Sequence, residues 1–252
     1  MRRSPPTTSS RNTSVASTAR MPITGSRSRG PSGPRAVLWD LDGTLADSRE
    51  FHWRSWRDTM STVGIAVSED LFSKSFGQRN DAIIPAWMGD RATPELVREL
   101  GDAKEALYRT FIAAAGLEPL PGAADWVRRL RQQGWRQAIA SSAPRANVEL
   151  MARVCGFEPF MDALVGAEDV KNGKPAPDGF LAAAAAVGVS PDHCVVVEDA
   201  AAGVEAAHRG GMPCIGVGDS GTDAADLCVR SLDLLPLDAF ERLLSSRQPN
   251  QP

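Results

Sequence analysis

The sequence predicts an α/β protein: a parallel sheet between two layers of helices, with a small helical unit inserted after the first strand. Three observations predict it. Short apolar runs bounded by turn residues alternate with helical stretches, the signature of repeated strand–helix–strand units. Residues 48–119 break that rhythm with helical patterns and no convincing strand. With 252 residues and 42% apolar side chains, the chain can bury one large core and a smaller one beside it.

The first strand is expected at residues 36–39, where "AVLW" is apolar throughout, as in a strand covered on both faces. Further strands are expected at 137–140, 163–165, 194–197 and 213–217. The helices between them each run into glycine: 123–133 into Gly134, 146–154 into Gly156, 177–187 into Gly188, and 200–209 into Gly210-Gly211. Glycine past the last turn is a common helix stop, and "LAAAAAVG" is built from the best helix former. Inside the insert, helices are expected at 49–63, 81–88 and 94–115. Residues 35–46 and 119–244 are therefore read as a three-layer Rossmann-like core and 47–118 as a helical cap. The two linkers, near Asp47 and in "GLEPLPG", lie beside one strand end and would let the cap open and close over it.

Charge narrows the function. Residues 1–34 hold six of the 28 basic residues and no acid; without them, 22 basic residues face 31 acidic ones. A core that acidic is a poor nucleic-acid binder, because affinity there rests on neutralising phosphates. The leader is too poor in apolar residues to fold and is expected to be disordered, like the tail at 245–252. Rich in Arg and Ser and free of acids, it resembles an organelle transit peptide. A flexible natural leader, or a true start at Met21, are the alternatives. A cytoplasmic location is expected, or plastid or mitochondrion if the leader is a transit peptide. No apolar run approaches the ~20 residues that span a bilayer. Four cysteines without regular spacing point to reduced thiols, buried at Cys194 and Cys214.

Ligands of open parallel sheets bind beyond the carboxyl ends of the strands. The first strand delivers Asp40, Asp42 and Thr44 there, the second Ser141-Ser142, and the fourth Glu198-Asp199. The loop after the third carries "KNGKPAPD" with Lys174. Acids, a hydroxyl and an ammonium at one rim suit phosphoryl transfer with a divalent cation.

These segments, "DLDGTLADS", "ASS", "KPAPD" and "VVVEDAAAG" in this order, resemble the haloacid dehalogenase superfamily of phosphohydrolases. The subgroup of β-phosphoglucomutase and sugar-phosphate phosphatases is the most similar in appearance, and the helical insert looks like its cap. The resemblance covers residues 35–220. It implies that Asp40 is the nucleophile that forms an aspartyl-phosphate and also ligates Mg2+. Asp42 would be the general acid and base, its backbone carbonyl a metal ligand. Ser141 and Lys174 would hold phosphoryl oxygens, Asp199 the metal, and Glu198 would act at or just behind the metal shell. Residues i and i+2 at a strand end point to the same side, so one carboxylate can attack phosphorus while its neighbour handles the proton.

Plainer readings compete at single positions: a helix cap for Ser141, a solvated loop lysine for Lys174, a cap pair for Glu198-Asp199. "GVGDSG" at 216–221 fits a dinucleotide fingerprint, but too little chain follows for the unit that motif needs, so it reads as a rim loop. Thr44 joins the phosphoryl contacts. On the cap, His52 with Trp56 one turn on resembles the helix that presents a histidine to substrate in the mutase subgroup. An ordinary helix-face histidine is the alternative. Gln78 and Arg79, after Gly77, form a candidate substrate loop; the mutase has a lysine before that glycine where this chain has Phe76. The reading is a monomeric Mg2+-dependent phosphatase of a small sugar phosphate, with a phosphosugar mutase as the alternative.

Overall fold

The computed structural model describes residues 1–2, 33–218 and 221–246. The expectations for the leader and for the tail fall almost wholly outside these residues. Six strands form one sheet: β1 (Ala36–Trp39), β2 (Arg136–Ala140), β3 (Ala163–Val165), β4 (Cys194–Glu198), β5 (Cys214–Val217) and β6 (Leu227–Val229). All neighbours are parallel, in the order β3-β2-β1-β4-β5-β6. The chain builds outward from β1 to β3, then crosses back to lay β4 on the other side of β1. Such a reversal opens a crevice between the carboxyl ends of β1 and β4.

Alternation along β1 makes the three layers. Val37 and Trp39 face one side, packed under α5 (Ala123–Gln132), α6 (Arg145–Val154) and α9 (Ala239–Ser245). Ala36 and Leu38 face the other, under α7 (Asp178–Ala186) and α8 (Ala201–Arg209). All four β1 side chains are fully buried, which is why this strand shows no polar alternation. Cys194 and Cys214 are buried free thiols, as expected.

The insert contains α1 (Arg49–Ser61), α2 (Glu69–Ser75), α3 (Asn80–Met88) and α4 (Pro94–Ala115). Ser68 and Thr93 cap α2 and α4 by accepting from Leu71 N (3.1 Å) and Leu96 N (3.3 Å), worth about 1 kcal/mol each. Trp56, Met60, Phe72, Ile84 and Leu100 form the cap's own apolar cluster. α4 belongs to both bodies: Leu100 packs in the cap cluster, while Tyr108 and Ile112, on the same helix face, pack in the main core. The two linkers pair at the base of the cap, where Ala46 bridges Pro119 and Leu120 N donates to Leu45 O at 2.9 Å.

Three elements were not anticipated: α2, β6 and α9. α2 and α9 have seven residues each and β6 has three, half exposed, all shorter than the window of about 11 residues over which apolar repetition distinguishes an element. No helix among the described residues is long and apolar enough to cross a membrane.

Candidate active site

The crevice at the β1 and β4 ends opens into a cavity of about 590 Å³ roofed by the cap. Asp40 prolongs β1, its N–H donating to Val197 O at 2.9 Å, so its carboxylate leaves the sheet where β4 delivers Glu198. Gly43 then turns the chain at φ +89°, and its N–H returns to Ala46 O at 2.9 Å. A β-carbon at Gly43 would stand 2.1 Å from Asp199 Oδ2, so this position needs both the left-handed backbone and the missing side chain.

Lys174 is no solvated loop lysine. Its ammonium contacts the carboxylates of Asp40 and Glu198, and its side chain is only 12% exposed. Burial opposes that charge, but Asp40 and Glu198 outweigh it and drive the lysine pKa up. The second Glu198 carboxylate oxygen accepts from Ala200 N at 2.7 Å, and its side chain lies on Gly203, where a β-carbon would clash. Both Glu198 oxygens thus already have donors. Asp199 accepts from Thr44 Oγ1 at 3.4 Å. Thr44 is fully buried and does not line the cavity; it meets Asp199, where a phosphoryl contact was expected.

Oxygens of Asp40, Glu198 and Asp199 lie within 4.8 Å of one another. Burial first, then repulsion from Glu198 and Asp42 at Asp40, and from Asp40, Glu198 and Asp42 at Asp199, raises both pKa values, and Lys174 only partly offsets this. An all-oxygen donor set with excess negative charge fits a hard divalent cation such as Mg2+.

Asp42 is held differently. Its Oδ1 receives Ser48 Oγ and lies 3.1 Å from His52 Nε2; Ser141 Oγ reaches its Oδ2 at 3.4 Å. Burial would raise its pKa, but His52, Ser48 and the nearby Lys104 lower it to about 2. Ser141 also accepts from Ala143 N at 3.0 Å, and Pro144 occupies the cap position of α6, so Ser141 is not that helix's N-cap.

His52 is 8% exposed, stacked on Tyr108 at 4.1 Å, with its Nδ1 2.7 Å from Lys104 Nζ. Trp56 and Gln78 line the cavity, Trp56 beneath Lys104 at 5.1 Å. Arg79 does not line it. Its Nη1 donates to Ala167 O (2.9 Å) and Val170 O (3.3 Å), clasping cap to core. Lys104, Glu105 and Arg49 also line the cavity, with no motif in the sequence to mark them. The first two sit on α4. Arg49, which lines the cavity over Phe72 and Phe76 (5.0 and 5.3 Å), begins the helix that carries His52. Among the described residues, it is the cavity-lining cation without a carboxylate partner: Lys74, Lys104 and Lys174 have theirs.

A family profile described as haloacid dehalogenase-like hydrolase matches residues 34–211. The chain belongs to this family. It is therefore an enzyme, and the matching relatives include sugar-phosphate phosphatases and phosphoglucomutases. Hexitol phosphatase A of Escherichia coli is 31% identical over 216 residues, covering 86% of this chain and 96% of that protein. The β-phosphoglucomutase of Bacillus subtilis is 30% identical over 211 residues, covering 81% and 92%. The chloroplastic protein SUPPRESSOR OF QUENCHING 1 of Arabidopsis thaliana is 36% identical over 190 residues. That match takes in 72% of this chain but only 18% of the plant protein. Among solved structures, a β-phosphoglucomutase from Clostridium difficile shares the fold at TM-score 0.78 and 22% identity, covering 85% of this chain and 98% of that one.

Proposed function

We propose that this hydrolase cleaves the phosphate ester of a small sugar phosphate, with Asp40 as nucleophile and Asp42 as proton donor and acceptor. One observation carries the reading: two neighbouring carboxylates in one cavity are held by opposite means. Asp40 touches Lys174 and faces the acidic cluster, while Asp42 is bound by Ser48, His52 and Ser141.

The residues divide the chemistry accordingly. An Asp40 oxygen attacks phosphorus, the P–O ester bond breaks, and the leaving oxygen takes a proton from Asp42. Asp42 then takes a proton from water as that water's oxygen attacks the aspartyl-phosphate, releasing phosphate and restoring Asp40. The second step thus restores the proton that Asp42 gave up in the first, and His52 Nε2, 3.1 Å away, orients the carboxyl. Lys174 and Ser141 hold phosphoryl oxygens. Mg2+ held by Asp40, Asp199 and the Asp42 backbone carbonyl, with Glu198 behind, would neutralise charge on the phosphoryl group.

The cap selects the group attached to the phosphate. Lys104 is neutralised by Glu105, and Arg79 is engaged with backbone carbonyls, so Arg49, whose guanidinium donates to the Ser73 hydroxyl, is left as the grip for any second anionic group. A mutase must hold a second phosphate at the far end of the sugar, and one cation favours hydrolysis. His52 seated on Asp42 under a closed cap favours the mutase as the second reading, since it shields the aspartyl-phosphate from water. The match to a chloroplastic plant protein supports an organelle leader in residues 1–34.

The test is turnover of a panel of phosphorylated sugars with Mg2+, including β-glucose 1-phosphate with a trace of glucose 1,6-bisphosphate. Phosphate release from a sugar monophosphate, lost on chelation, is the expected result. Glucose 6-phosphate appearing faster than phosphate would make the mutase correct, and undiminished activity after chelation would overturn the metal.

A further inference from the structure

Helix α4 carries Lys104, Glu105, Tyr108 and Arg109 across the boundary between cap and core. Lys104 and Glu105 are 2% and 4% exposed, a buried pair 2.8 Å apart. Glu105 spends its other contacts in two directions. Its Oε1 also receives Asn80 Nδ2 from the cap at 2.8 Å, and its Oε2 receives Asn147 Nδ2 from core helix α6 at 2.5 Å. Asn147 is fully buried, and its Oδ1 accepts from Arg109 Nη1 at 2.9 Å. The amide is therefore read on both sides by α4, donor to the acid and acceptor from the guanidinium.

Followed outward, these contacts make a closed circuit. Asn147 meets Glu105, Glu105 meets Lys104, Lys104 meets His52, and His52 meets Asp42. Asp42 then meets Ser141, in the loop that leads into the helix bearing Asn147. An ammonium has three donors and no acceptor. One reaches Glu105 and one reaches His52 Nδ1, while the rings of Trp56 and Tyr108 flank the group at 5.1 and 5.2 Å. Lys104 donating to Nδ1 leaves the Nε2 proton of His52 aimed at Asp42.

We infer that the Asn147–Glu105 contact is a latch that registers the closed cap on the phosphate-loop helix and thereby positions His52 against Asp42. Asn147 does not line the cavity, and Glu105, at its wall, contacts Asn80, Lys104 and Asn147 and none of the reacting carboxylates, so both are positioning residues. This rests on the reading of Asp42 as the acid that protonates the leaving group. When the latch loosens, α4 shifts on α6, and the Lys104–His52 pair no longer holds Asp42 where the ester oxygen departs.

The test uses leaving groups. A sugar alkoxide needs a proton to depart, whereas 4-nitrophenolate does not. With Asn147→Ala, kcat/KM for a sugar phosphate should fall about tenfold, and that for 4-nitrophenyl phosphate should stay within about twofold. Glu105→Gln, nearly the same shape, should show the same bias and serves if Asn147→Ala does not fold. The double variant should lose no more than the worse single one, as expected for residues acting through one contact. Equal losses on both esters would reduce the latch to a structural contact and overturn the inference, as would no loss on either. Asp42→Asn run alongside separates the two readings. If it shows the ester bias and the latch variants do not, the latch fails alone; if Asp42→Asn lacks the bias, the acid assignment fails and the latch falls with it.

Discussion

At the scale of single residues, the site depends on side chains that sequence neighbours place but distant ones tune. Asp40 and Asp42 leave one strand end two residues apart, yet burial and the Glu198 charge raise the pKa of the first while His52 and Ser48 help hold the second near 2. Asp40→Asn keeps the shape and removes the nucleophile, so turnover should fall at least a thousandfold with the fold intact by circular dichroism. Retention of a tenth of the rate would remove Asp40 from that role. Gly43 gives a sharper test of geometry. Gly43→Ala places a methyl on Asp199 Oδ2 and asks an L-residue for φ +89°, a strain of about 1–2 kcal/mol before the clash is counted. The Mg2+ concentration for half-maximal rate should rise about tenfold or more; an unchanged Mg2+ requirement would show that Asp199 is not a metal residue.

At the scale of elements, the junction of cap and core is made by α4 on one side and by the start of α3 on the other. Arg79 precedes α3 and hydrogen-bonds to two carbonyls of the segment that leads to Lys174, with Gly173 packed under its stem. A hydrogen bond from a charged group contributes about 1.5–3 kcal/mol when partly buried, enough to weight the closed cap over the open one by more than tenfold. Arg79→Met keeps the stem and removes the donors. KM should rise about tenfold with a smaller change in kcat, because closure is weakened while the closed site is unaltered. A fall in kcat with constant KM would place Arg79 on the reacting group instead of on the clasp.

For the molecule as a whole, the acidic cluster at the β1 and β4 ends couples metal, pH and stability. Asp40 and Asp199 both have folded-state pKa values above those of an unfolded chain. The folded protein therefore holds their protons more tightly. The stability these groups contribute is complete below the ordinary carboxylate range and is lost as pH rises through the raised values. A bound divalent cation relieves the same repulsion. Saturating Mg2+ should raise Tm by about 5–10 °C near pH 8 and by much less near pH 5, where protons compete for the same oxygens. A gain independent of pH would rule out metal binding at these carboxylates. A chain trimmed to begin at Gly33 should keep the Tm and the activity of the whole chain, since the leader's composition gives it too little apolar surface to pack. Loss of either would make the leader part of the fold.

The sequence by itself determined the parallel core, the insert after β1 and the rim acids. Each of these rests on a local pattern: apolar runs of strand length, glycines at helix ends, and carboxylates directly after a strand. The short elements α2, β6 and α9 escaped because they are shorter than the window over which an apolar repeat stands out. The tertiary structure alone decided the partners. Thr44 turned to Asp199 and Arg79 to the Ala167 and Val170 carbonyls, although both lie in motifs that suggested substrate. Lys104 and Glu105 are an ordinary charged pair in a helical stretch until α4 crosses onto α6 and buries them between His52 and Asn147. Electrostatics and hydrogen bonding act through space, over a few ångströms between residues separated by up to 155 positions, and no local pattern records which of them will meet.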